Sequence, residues 1–223
     1  MVPDELPVYT VAEIEKRVSA YLRQKLGPNP AIPIDVDFLV EDGEGIDLDE
    51  WPKLRTNHGI EGGIWREPGT GELRVYIAEE LMSDDSKSGI ARYRMTVAEE
   101  LAHLQLHRGV IDSMESADDF RKLHNHPLWA EVERNAKRFA AAILIPHEAL
   151  TIEAREGFAE IVEQLHQRGM DRITQGPVEK WLCTRLAKRF EVSESAMRFR
   201  MKEWPAKVSE KIASAIEDGR TYL

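Results

Sequence analysis

Cysteine is almost absent from this 223-residue chain: Cys183 is the only one, so no internal disulfide can form. Long apolar runs are missing too, and none approaches the roughly 20 residues that a membrane-spanning helix needs. The amino terminus, "MVPDELPVYT", lacks the basic and then apolar pattern of a secretory signal. Together these absences lead us to expect a cytoplasmic protein with no membrane partner. Net positive charge is also lacking. The formal charge of −10 argues against a surface devoted to nucleic acid, because phosphate contacts depend on Lys and Arg, so any DNA contact must be local. What remains is an ordinary globular composition, 42% hydrophobic and 31% charged, long enough for one substantial core plus an appendage.

"TVAEIEKRVSAYLRQKLG" opens with a capping box at Thr10 and Glu13, places Ile14, Val18 and Leu22 at helical spacing, and stops at Gly27. In "PAIPIDVDFLVEDGEG" the alternation of Ile34, Val36 and Phe38 suits a strand, while Asp35 could cap a short helix ending before Gly43; we favour the helix. "GIDL", "GIEGGIWRE" and "ELRVYIAEE" read as strands, the last two joined by the turn "PGTG". A small antiparallel sheet is expected from them. Helical periodicity returns from about Ile90 to His107, ending at Gly109, and again from about Pro127 to Leu144. Residues 146–170 read as helices broken near Gly157, and "TQGP" at 174–177 reads as a linker. The expected division is therefore a main domain over 1–173 and a helical appendage over 174–223.

The stretch "RYRMTVAEELAHLQLH" carries the first chemical signal. At about 100° per residue, Glu99, Glu100, His103 and His107 share roughly a 100° arc, while Val97, Ala98, Leu101, Ala102, Leu104 and Leu106 occupy most of the rest. Such a helix is buried except along one polar arc, which should face a cleft. In a helix reading H-E-x-x-H, two histidines one turn apart bind zinc and the glutamate activates its water. Here Glu99 stands at the first histidine position. A solvated helix face with incidental pairs would produce the same spacing. The second helix adds weight to a site: in "AEVERNAKRFAAAILIP", Glu133 lies in one stripe with Ala136, Ala140 and Ile143, and a carboxylate on an inward face needs a partner, either a cation shared with His103 or an Arg.

The order of these segments resembles the ImmA/IrrE family of metallopeptidases. "RYRMTVAEELAHLQLH" is similar to the family's R-F-T-x-A-H-E-L-G-H-x-x-L-H, "EVERNAKRFAAAILIP" to its E-x-x-A-N-x-F-A-A-x-L-L-M-P, and "LAKRFEVSESAMRFRMKEW" to the helical segment closing many members. The resemblance implies an α+β, zincin-like fold, mainly helical, with a small sheet and a helix-turn-helix-like end. It implies His103 and Glu133 as metal ligands, Glu100 as general base, and a helix-turn-helix repressor or antitoxin-like regulatory protein as substrate. Two positions depart from the pattern: Glu99 replaces the first histidine, and Lys137 replaces the usual asparagine.

Three arrangements follow from the departure. Glu99, His103 and Glu133 could hold the cation, but two carboxylates cancel its double charge and weaken it as a Lewis acid. His103, His107 and Glu133 could hold it instead, with Glu100 serving from one turn earlier. Or the cleft holds no metal. Zinc is the expected cofactor, and oxygen-rich ligation also admits Mn2+ or Fe2+. His124 and His126 in "LHNHP" are weaker ligand candidates, His58, His147 and His166 belong to no constellation, and Cys183 reads as a small core residue.

"WLCTRLAKRFEVSESAMRFRMKEW" reads as helix, tight turn and helix, with Ser193 as cap and Phe190, Val192, Ala196 and Phe199 packing between them. From Pro177 to Val208 eight Lys or Arg face four Glu, a local balance of +4. DNA binding is thus an alternative, with the packing of a basic helical pair against an acidic body or partner ahead of it. A catalytically inactive relative that regulates by binding a protein or DNA is the alternative to the enzyme.

Overall fold

The computed structural model describes residues 6–67, 69–113, 123, 125–170 and 173–223. It divides into two compact units, Met1–Leu144 and Ile145–Leu223.

The first unit begins with helix α1 (Val11–Leu26), closed at its start by the reciprocal bonds between Thr10 and Glu13 and at its end by Gly27, whose φ of 89° favours glycine. Helix α2 (Val36–Phe38) follows, with the Asp35 carboxylate accepting the Phe38 N–H, and runs into a π-helical stretch, Leu39–Gly43. The short helix expected there is thus present, and Ile34 and Val36 go into the core while Phe38 faces outward.

Three strands, β1 (Asp47–Trp51), β2 (Gly62–Arg66) and β3 (Leu73–Ala78), form one sheet in the order β1-β3-β2. The sheet is mixed rather than antiparallel: β2 pairs antiparallel with β3, but β1 pairs parallel with it. The hairpin inserts β3 as the central strand. Helix α3 (Leu54–His58) lies in the β1–β2 connection, which makes room for a return that a tight hairpin does not allow. β2 is therefore an edge strand.

Helix α4 (Glu79–Met82) leads to α5 (Lys87–Leu106), capped by Ser86, whose hydroxyl accepts the Gly89 N–H. His107 terminates α5, and Gly109 lies within the following helix α6 (Arg108–Ser113) instead of ending the segment. Helix α7 (Trp129–Leu144) packs on α5 and α1, and its Val132, Ala136, Phe139, Ala140 and Ile143 are all buried. Asn135 pins the chain entering α1 to α7, accepting the Tyr9 N–H at 2.7 Å and donating to the Tyr9 carbonyl at 3.0 Å.

The second unit contains α8 (His147–Gln167), α9 (Gln175–Phe190), α10 (Glu194–Lys202) and α11 (Val208–Glu217). α8 is unbroken at Gly157. A Cβ there would lie 2.6 Å from Leu182 Cδ1, so this glycine permits close approach of α9. "TQGP" is not a linker: Thr174 precedes α9 and Gln175 to Pro177 form its first turn, where proline loses no helical hydrogen bond. The boundary expected at 173/174 falls inside this unit, because α8 packs on α9; the units divide at 144/145.

The α9–α10 pair is a helix, a tight turn and a helix, with Glu191 in the left-handed region at φ 53° and the Ser193 hydroxyl accepting the Ala196 N–H at 3.1 Å. Phe199 does not pack between them; it is 51% exposed, and Met197 and Met201 fill the interior. Arg200 lies beside them, 1% exposed, donating from Nε to the Ile145 carbonyl at 3.1 Å and pairing with Glu203 at 3.6 Å. Of the basic residues counted in this segment, Arg185 is paired with Glu160, Arg189 with Glu153 and Lys207 with Glu210. A base-reading role for Arg200 is excluded by its burial, and much of the local positive balance is neutralised within the unit.

Candidate active site

Within the first unit, β2, α5 and α7 border a cleft of about 640 Å³. The polar arc of α5 opens onto it, as the periodicity required: Glu99, Glu100, His103 and His107 all line the wall, joined across from them by Glu133 and Lys137 of α7. The remaining circumference of α5 is packed, with Val97, Ala98, Leu101 and Ala102 at 0% exposure. That packing holds the polar arc in place.

His103 and Glu133 meet across the two helices, with Nε2 and Oε1 3.5 Å apart. Glu133 is less enclosed than its place among alanines suggested: its side chain is 35% exposed, at the cleft rather than in the core. On the other side of the imidazole, Nδ1 of His103 lies 3.2 Å from Nδ1 of His107. His107 therefore approaches the ring nitrogen that Glu133 does not. It is itself 2% exposed, and its Nε2 has no hydrogen-bond partner among the described residues. The indole of Trp129 lies nearly parallel to the His103 ring, 9° between planes and 6.2 Å between centroids, so it walls the site.

Burial displaces the ionisation of the four polar residues of the α5 arc. It pushes His103 down to about 3, with His107 adding to the effect, and His107 down to about 4, so both rings are neutral at neutral pH. Burial pushes Glu100 up to about 8, reinforced by the Glu99 and Glu133 carboxylates. Glu99 rises to about 7, chiefly through burial; the Lys137 ammonium opposes the rise, and Glu133 and Glu61 add to it. A cleft that holds neutral imidazoles beside protonated or nearly protonated carboxylates is one that an added positive charge would stabilise.

Gly62 of β2 was not anticipated as part of the site. A Cβ at this position would lie 2.6 Å from Thr96 Cγ2 and 2.8 Å from Glu100 Oε1, so the glycine is what lets the Glu100 carboxylate lie against the sheet edge. The signal was present in "EGGIW", since glycine inside a strand often marks a close approach.

A cation fits part of this arrangement. Two donors bound at about 2.0 to 2.2 Å to a tetrahedral zinc stand about 3.4 Å apart, which matches the His103–Glu133 separation, and His103 is neutral, as a ligand must be. A third donor is not assembled: among the described residues no group of three or more His, Cys, Asp or Glu side chains is gathered closely enough to hold one ion. Glu99 shares the cleft without completing such a group, and His107 faces the other nitrogen of His103. His124 lies outside the described residues, and the side chain of His126 accepts the Leu128 N–H within its own loop. Cys183 is buried in the second unit, as expected of a core residue. No helix among the described residues is long and apolar enough to cross a membrane.

A helical α+β unit, with an edge strand above a helix that carries a glutamate and histidine toward a carboxylate on the next helix, defines a zincin-like domain of the metallopeptidase type. A family model described as the IrrE N-terminal-like domain of the M78 peptidases matches residues 85–202, more than half of the chain, and the chain belongs to that family. A search of curated proteins found no match.

Proposed function

We propose that the protein is a metal-dependent endopeptidase acting on a helix-turn-helix repressor or a related, antitoxin-like regulatory protein. The observation that carries this reading is the 3.5 Å approach of His103 Nε2 to Glu133 Oε1 in a cleft that also holds Glu100. His103 and Glu133 would hold the ion, zinc in the first instance with Mn2+ or Fe2+ as alternatives, and Glu99 lines the same cleft without joining them. When bound, a divalent cation supplies the positive charge that acidifies water and polarises a peptide carbonyl.

Glu100 accepts the proton of the attacking water and passes it to the departing amine nitrogen, as a general base and then a general acid. Its carboxyl, pushed up to about 8, needs a nearby positive charge to act as a base at neutral pH. His107 holds His103: with Nε2 of His103 turned to Glu133, a proton on its Nδ1 is donated to Nδ1 of His107, which fixes the tautomer with a lone pair on the cleft side. Trp129 and β2 shelter the site and shape what enters it.

The test is elemental analysis of the purified, tag-free protein beside His103→Ala and Glu133→Ala. The expected result is near-stoichiometric metal in the parent, lost in both variants, and retained in Glu100→Gln together with loss of cleavage. No metal in the parent, even after incubation with zinc and manganese, would sink the reading. A second reading, regulation by binding without cutting, is favoured by the lack of a gathered third donor among the described residues. Retention of the biological effect in Glu100→Gln would support it.

A further inference from the structure

The side chains that join α5 to α7 form an ordered series. His103 meets Trp129 and Glu133, and Glu99, one turn back on α5, lines the same cleft as Lys137, one turn further along α7. The contacts step down one helix as they step up the other, as in an antiparallel pair whose facing positions repeat every four residues. Lys137 is thus the next rung beyond the His103–Glu133 pair. It lines the cleft with three carboxylates, Glu99, Glu100 and Glu133. The other cation at the cleft, Arg92, is already paired with Glu61.

We propose that Lys137 is a built-in competitor of the metal ion: its ammonium holds Glu99 away from the coordination position that Glu99 would otherwise fill. This inference rests on the reading of His103 and Glu133 as metal ligands. A carboxylate shared between an ammonium and a divalent cation is a poorer ligand, and the ammonium also repels the cation directly. The lack of a gathered third donor among the described residues and the presence of Lys137 are then one fact. The chain carries a site whose metal affinity is set low by its own lysine.

The two effects of Lys137 separate in a double-mutant cycle. Zinc is titrated calorimetrically into metal-free parent, Lys137→Gln, Glu99→Gln and the double variant, with His103→Ala as control. Lys137 is exposed, so its replacement leaves the packed core intact; far-ultraviolet circular dichroism and melting temperature check this. The expected result is zinc binding tightened about fivefold or more by Lys137→Gln, changed less than about twofold by Glu99→Gln alone, and tightened less than about twofold by Lys137→Gln when Glu99 is already Gln. A tenfold loss on Glu99→Gln in the parent would overturn the proposal, since Glu99 would already be a ligand. Equal tightening in both backgrounds, no tightening, or no binding in any protein would overturn it as well. Parent binding abolished by His103→Ala, with Lys137→Gln inert, would fail this inference and leave the metal-site reading standing. Binding confined to the Lys137→Gln protein would support the inference and remove the metal-dependent reading for the natural chain.

Discussion

Two of the places where this molecule encloses ionisable side chains do so in opposite ways. In the second unit Arg200 is enclosed with its partners supplied, the Ile145 carbonyl at 3.1 Å and Glu203 at 3.6 Å. In the cleft of the first unit, Glu99, Glu100, His103 and His107 are enclosed with their charges suppressed instead of matched, and His107 Nε2 lacks a partner among the described residues. A buried charge that is satisfied serves the fold; a buried cluster held out of its ordinary ionisation awaits something from outside. The contrast separates a structural arginine from the glutamates and histidines of the candidate site.

The contrast is broken most severely at its satisfied end. Arg200→Ala removes the buried guanidinium that meets Glu203 and the Ile145 carbonyl, and it should cost about 3 kcal/mol or more in chemical denaturation of the metal-free protein. A change within about 0.5 kcal/mol would show that this arginine is not structural. Gly62→Ala comes next, because its methyl meets Thr96 and the Glu100 carboxylate. A loss of about 1 to 3 kcal/mol is expected, together with movement of the Glu100 carboxyl resonance in nuclear magnetic resonance titration.

The unsatisfied end is sharpened by pH. In the metal-free protein, His103 and His107 bind protons less readily folded than unfolded, so their contribution to stability falls as pH drops below about 6.5, through about 4 and 3. Glu99 and Glu100 bind protons more readily folded, so theirs is present below about 4.5 and is lost as pH rises through about 7 and 8. Stability should therefore be greatest between about pH 4.5 and 6.5, where the opposing slopes cancel, and should decline on the alkaline side. Glu100→Gln removes this penalty at that position, so its stability relative to the parent should rise steadily from about pH 4.5 to about pH 8 and exceed its value at pH 4 by about 1 kcal/mol or more at pH 9. A difference that does not change with pH would show that Glu100 is not held protonated. The smallest effect belongs to the surface: Arg189→Ala, which breaks an exposed pair with Glu153, should change stability by less than about 1 kcal/mol and should abolish no function assigned to the cleft.

Much of this was legible before any coordinates. The Thr10–Glu13 box, the polar arc of α5, the alanine-rich face of α7 and the Ser193 cap are local patterns, written within one or two turns, and each formed as read. The misreadings share a cause as well. The parallel pairing of β1, the passage of α8 through Gly157 and the outward turn of Phe199 all depend on partners distant in sequence. Gly157 looks like a breaker until Leu182 is beside it.

By itself the sequence determined which helix faces carry chemistry, because a 3.6-residue repeat sorts Glu99, Glu100, His103 and His107 onto one arc and the aliphatic residues onto the others. It also determined the family, through the paired motifs on α5 and α7. Only the tertiary structure decided how those arcs meet: Glu133 against Nε2 of His103, His107 against Nδ1, Lys137 in one cleft with Glu99, and Gly62 beneath Glu100. The physical reason is that periodicity sets the direction of a side chain about its own helix, whereas the register of one helix on another is set by the packing of both against the sheet and α1.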